Sequence, residues 1–147
     1  MIQLINKSII NIEDGLIVCD GCATNVLNIA VKQKYPDVES NTKWFEDEKL
    51  GGELGSCLIS GTGESDNLAV AFLYFMDENE ITQFDKLKES LQRLKEIVGL
   101  AENNRLSKII FPYGLGCDKS CNNWGKVMQL IELFAEQVDK EVVLYTD

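Results

Sequence analysis

Residues 111–127, FPYGLGCDKSCNNWGKV, carry the reading that decides the fold. The apolar run LSKIIF (106–111) stops at Pro112, and Gly114 and Gly116 then bracket Leu115. Beyond a cap at Asn122 or Asn123, Val127, Leu130, Ile131 and Phe134 recur at helical spacing. The stretch reads as buried strand, glycine loop and amphipathic helix. Glycines at such a junction let backbone approach a ligand closely, and ligands of open α/β sheets sit beyond the carboxyl ends of strands. The plainer alternative is a tight turn.

Working outward, the same alternation recurs. GLIVCDG (15–21) holds Leu16, Ile17 and Val18 in succession, as a strand buried on both faces would. TNVLNIAVKQKY (24–35) has helical spacing and ends before Pro36. LGSCLIS (54–60) and LAVAFLYF (68–75) flank GTGESDN as a hairpin with a longer loop. Phe84, Leu87, Leu91, Leu94 and Val98 mark one face of a long helix, with Thr82 as its expected N-cap. EVVLYT (141–146) closes the series as a strand. Strands alternating with helices around one hairpin predict a three-layer α/β/α fold with a mixed sheet, in a single domain over residues 1–147.

Composition narrows the function. Fourteen Lys plus Arg stand against 24 Asp plus Glu, a net charge of −10. Such a surface repels nucleic acid and anionic membrane, yet leaves room for a small phosphorylated ligand held by backbone amides. No histidine is present, which excludes a Ser-His-Asp triad or a Cys-His pair within this chain. No run approaches the ~18–20 apolar residues of a membrane span. No secretion signal is visible at MIQLINKSII, so a cytoplasmic setting is expected.

PYGLGCDKSCNNW (112–124) and the VVLYT that follows it resemble the closing segment of macrodomains, the ADP-ribose-binding α/β module. The likeness is greatest to the compact branch of terminal ADP-ribose glycohydrolases and their phage and bacterial relatives. GCATNVLNIAVKQKYP (21–36) and GGELGS (51–56) are similar to two further segments of that family. The resemblance implies two ligand loops. The first would use Asp20, Gly21, Thr24 and Asn25. The second would use Pro112, Tyr113, Gly114, Leu115, Gly116, Cys117, Asp118 and Ser120. Ser8 falls where the family carries an Asp that hydrogen-bonds adenine.

The departures from the family also matter. The first loop is about four residues short, two of its glycines are Thr24 and Val26, and a third glycine in the second loop is Asp118. The family's nucleophilic lysine falls near Leu58, and its catalytic aspartate falls on Ser120. The resemblance therefore implies binding of an ADP-ribose-type or cyclic ADP-ribose-derived nucleotide without turnover, in a phage setting as a sponge for a host signal. The alternatives are an ADP-ribosyl hydrolase or ADP-ribose-1″-phosphate phosphatase using Asp118 or Asp20, or an interaction module that binds no nucleotide.

No cofactor is expected, with one competing arrangement. Cys19, Cys22, Cys117 and Cys121 have spacings compatible with structural zinc, although cytosolic cysteines commonly serve as small apolar groups. Trp124 reads as a packing anchor. Trp44 and Phe45 read as an ordinary surface-helix contact, with a cover for the pocket as the alternative.

Overall fold

Six strands form one sheet in the order β1-β6-β5-β2-β4-β3, in a computed structural model that describes residues 2–22, 25–47, 53–115 and 123–146. The strands are β1 (Gln3–Ile5), β2 (Gly15–Asp20), β3 (Cys57–Gly61), β4 (Leu68–Leu73), β5 (Lys108–Pro112) and β6 (Glu141–Tyr145). All neighbours pair in parallel except β3, which runs antiparallel to β4 as the expected hairpin. The helices are α1 (Val26–Lys34), α2 (Pro36–Asp47), α3 (Phe84–Val98) and α4 (Trp124–Gln137).

The alternation of side chains along a strand explains why β2 and β4 are apolar without a break. Leu16 and Val18 of β2 join Ala69, Ala71 and Leu73 of β4 in a core closed by Leu87, Leu91 and Leu94 of α3 and by Val127, Ile131 and Phe134 of α4. Ile17 and Cys19 point the other way, with Val70 and Phe72, to Val31 of α1 and to Tyr35 and Val38. Every residue of both strands is buried. Each fully buried Leu, Ile or Phe stabilises by about 1.5–3 kcal/mol, so these two strands anchor the sheet.

Two elements escape the sequence pattern. β1 has three residues, and Leu4 in its middle is exposed; its backbone pairing with β6 is what makes it a strand. Pro36 does more than end α1. It opens α2, where its fixed φ and missing N–H suit the first helical position. The polar stretch after it is a helix docked by Val38 and Thr42. Thr82 does not cap α3 as expected: it bridges Met76 in antiparallel fashion, so the N-cap position passes to Gln83. Among the described residues no helix is long and apolar enough to cross a membrane.

Candidate functional site

β2 and β5 lie side by side, Leu16 opposite Ile109 and Ile17 opposite Ile110. Their carboxyl ends, Asp20 and Pro112, therefore open at one edge of the sheet. A cleft of about 530 Å³ lies there, lined by Asp20, Asn25, Leu27, Pro112, Tyr113, Gly114, Leu115 and Trp124.

The β5 wall is held from both sides. Tyr113 N donates to Tyr145 O at 2.8 Å, and Leu115 N donates to Pro112 O at 3.2 Å. The Leu115 side chain is 3% exposed and packs into the core beneath α3 and α4. Between them Gly114 has φ 87°, a conformation that favours glycine. Among the described residues its N–H makes no hydrogen bond. An amide donor is thus available on a fixed turn beside the cleft. Tyr113 is 56% exposed and rests against Trp124, ring centroids 4.8 Å apart.

The β2 wall is built on linked hydrogen bonds. Buried Asp20 accepts from Cys22 N at 2.9 Å through Oδ1 and from Asn25 Nδ2 at 3.1 Å through Oδ2. Asn25 caps α1, its Oδ1 accepting from Leu27 N at 2.9 Å and Asn28 N at 3.4 Å. Asn28 Nδ2 in turn donates to Asp20 O at 2.8 Å. The short connection between β2 and α1 is thereby tied to both elements.

The expected first-loop and second-loop residues Asp20, Asn25, Pro112, Tyr113, Gly114 and Leu115 meet in the cleft. Gly21 and Ser8 are not among its lining residues. Gly21 N donates to Leu73 O at 2.8 Å, and a Cβ on Gly21 would lie 2.3 Å from a Tyr74 ring carbon. Its lack of a side chain is explained by packing. Ser8 precedes a short 3-10 turn, Ile9–Asn11, and its carbonyl accepts from Asn11 N at 3.2 Å. Thr24, Gly116, Cys117, Asp118 and Ser120 lie outside the described residues.

Leu27 and Trp124 line the cleft, although their spacing marks them only as helix-face residues. The available signal was position, since each stands in the first turn of a helix that follows a loop bordering the cleft. Trp44 is exposed and is not a lining residue, whereas Phe45 stacks on Tyr74 at 5.8 Å.

Leu58 stands in β3 opposite Phe72 and packs against the α1–α2 side of the core. Cys19 is buried on that side, and burial, with the neighbouring Asp20 charge, pushes its thiol far above the usual range. Cys22 Sγ donates to Glu80 Oε1 at 3.3 Å. Among the described residues no group of three His, Cys, Asp or Glu could hold a metal, and Cys117 and Cys121 lie outside them.

No protein-family model matches the sequence, and no curated protein matches it. Solved structures do. The macrodomain of Mycobacterium tuberculosis DarG superposes with a TM-score of 0.80 at 14% identity, covering 100% of this chain and 99% of that one. The macrodomain of Thermus aquaticus DarG gives 0.78 at 17%, with coverage of 100% and 99%. Thermosipho africanus DarTG, solved in complex with ADP-ribose, gives 0.76 at 16%, covering 97% of this chain and 40% of that one. The chain has the macrodomain fold.

Proposed function

We propose that this macrodomain-fold chain binds an ADP-ribose-type nucleotide in the cleft between the β2 and β5 loops and holds it without turnover. The observation that carries the reading is the β5 turn, where Gly114 sits at φ 87° with an amide that has no partner among the described residues, beside a cleft of about 530 Å³. Amides on a fixed glycine turn bind anions without lysine or arginine, which suits a chain of net charge −10. The half-exposed Tyr113 ring, backed by Trp124, offers a surface for stacking on a base or ribose. A neighbour in fold, Thermosipho africanus DarTG, holds ADP-ribose.

Two features favour binding over chemistry. By the resemblance, the nucleophilic lysine of the glycohydrolases falls near Leu58, on an edge strand whose residues Cys57–Gly61 include no lysine. The cleft's described carboxylate, Asp20, uses both oxygens to hold Cys22 N and Asn25 Nδ2. A general acid or base must reach the proton it moves. A protein that binds and does not cleave would act as a sink for a signalling nucleotide. An anti-defence role in phage follows only from the resemblance to compact phage relatives.

The test has two halves. The protein is incubated with ADP-ribose, ADP-ribose-1″-phosphate and cyclic ADP-ribose isomers, heat-denatured, and the small molecules are chromatographed. Intact nucleotide in every case supports the reading, and any product refutes it. In parallel, a ligand at 100 times its dissociation constant should add about 2.7 kcal/mol to stability. No thermal shift with any of these nucleotides would leave the fold with an interaction role instead.

A further inference from the structure

Glu80 has φ 62°, and among the described residues it alone carries a side chain at a positive φ. A Cβ crowds the following carbonyl in that conformation, so glycine or asparagine is its usual occupant. The backbone there is fixed by the turn that follows β4. Asp77 N donates to Ile81 O at 3.0 Å, and Glu80 N donates to Asp77 O at 2.9 Å. Asp77 Oδ1 accepts from Asn79 N at 2.8 Å and from Ile81 N at 3.1 Å, and Oδ2 accepts from Gln83 Nε2 at 2.9 Å. Each of these bonds would form equally well with glycine at position 80. The turn therefore accounts for the left-handed backbone and leaves the glutamate side chain unexplained.

That side chain reaches the connection between β2 and α1. Glu80 Oε1 accepts from Cys22 Sγ at 3.3 Å, across 58 positions of the chain. The half-buried Cys22 donates its own N–H to Asp20 Oδ1 at 2.9 Å, and Asp20 Oδ2 accepts from Asn25 Nδ2 at 3.1 Å. Asp20 and Asn25 line the cleft. The connection is thus joined to β4 and the turn after it at two successive residues. Gly21 N donates to Leu73 O at 2.8 Å, and Cys22 then meets Glu80. The first link is backbone alone, and the second depends on two side chains. Strained backbone persists where the side chain it presents has a use, and here the side chain is spent on a loop bordering the cleft.

We propose that Glu80 is a positioning residue for the cleft. Its carboxylate holds the Cys22 thiol and, through the Cys22 backbone, fixes Asp20 and Asn25 in the arrangement that receives the nucleotide. Glu80 acts through Cys22, since it is not among the lining residues itself. This rests on the proposed nucleotide-binding role, and the experiment separates the two.

Four variants are compared with the wild type: Glu80→Gly, Glu80→Gln, Cys22→Ala and the double variant Cys22→Ala/Glu80→Gly. Calorimetry reads ADP-ribose affinity, and NMR reads amide exchange in the ligand-free proteins. Loss of the hydrogen bond should weaken ADP-ribose binding roughly fivefold in Glu80→Gly. The amide at position 22 should exchange roughly fivefold faster, while that of Val18, inside β2, does not speed up. Glycine suits φ 62°, so the melting midpoint should hold. A merely structural role would lower the midpoint and speed both amides. Glu80→Gln keeps an acceptor oxygen and should recover most of both losses. Cys22→Ala should match Glu80→Gly, and the double variant should bind no more weakly than either, because both changes remove the same contact. Wild-type affinity in Glu80→Gly, additive losses in the double variant, or Val18 exchange rising with that of position 22 overturns the inference. If no protein, wild type included, binds ADP-ribose, the nucleotide reading fails. Exchange then decides the inference alone: faster exchange at position 22 in Glu80→Gly and Cys22→Ala, recovered in Glu80→Gln, upholds the positioning role, and any other pattern overturns it.

Discussion

Gly21→Ala separates a packing glycine from a ligand-binding one. A Cβ there would lie 2.3 Å from Tyr74 Cδ1, 2.7 Å from Cε1 and 3.0 Å from Cγ, against a comfortable carbon–carbon distance of about 3.5–4.0 Å. Neither side can yield easily. Gly21 N is tied to Leu73 O at 2.8 Å. The buried Tyr74 ring stacks on Phe45, and its hydroxyl donates to Glu46 Oε2 at 3.0 Å. Overpacking of this kind costs about 1–3 kcal/mol, a fall in melting midpoint of roughly 3–9 °C for a chain of this size. The assay is a thermal and urea melt of Gly21→Ala in two backgrounds, wild type and Tyr74→Ala. With the ring gone, the added methyl should cost less than about 0.5 kcal/mol, giving a clear coupling in the double-mutant cycle. Equal cost in both backgrounds, or no cost in the wild type, would refute the packing account and return Gly21 to the ligand loop.

Two further outcomes are expected. Gly114→Ala forces a side chain into φ 87°, which should cost about 1–2 kcal/mol in a melt and abolish the nucleotide-induced thermal shift; a retained shift would show that this turn is not the anion-binding element. Alkaline pH should destabilise the protein. Burial raises the Cys19 and Tyr74 pKa values far above normal and pushes Cys57 up to about 12 from an ordinary 9.0. The unfolded chain therefore releases these protons first, from about pH 9 for the thiols, and stability falls as pH rises through that range. The slope is up to about 1.4 kcal/mol per pH unit for each group. Melts at pH 8, 9 and 10 check it, and Cys19→Ala should flatten the slope, whereas a flat wild-type profile would contradict the burial of these groups.

The helix and strand assignments that survive from the sequence share a physical trait: their pattern reports burial over many residues. β2 and β4 are covered on both faces and so are apolar throughout; α3 shows one stripe because one face is covered. The glycine loop after β5 was legible because Gly114 needs a backbone that other residues avoid. α2 was legible only as a surface-helix contact at Trp44 and Phe45 and without bounds, since a dozen largely polar residues docked mainly through Val38 and Thr42 leave little pattern.

The sequence by itself determined the layered α/β arrangement and the loops after β2 and β5 that border the cleft, because repeated apolar spacing and glycine at a strand end act locally. Tertiary structure alone decided the roles of individual site residues. Gly21 answers to Tyr74, 53 positions away in the chain, and Trp124 packs against Tyr113 beside the cleft. Asn25 closes α1's first turn only because Asp20, at the end of β2, holds its amide in place. Such roles are set by which side chains the fold brings within hydrogen-bond or van der Waals reach, and that geometry has no signature in spacing along the chain.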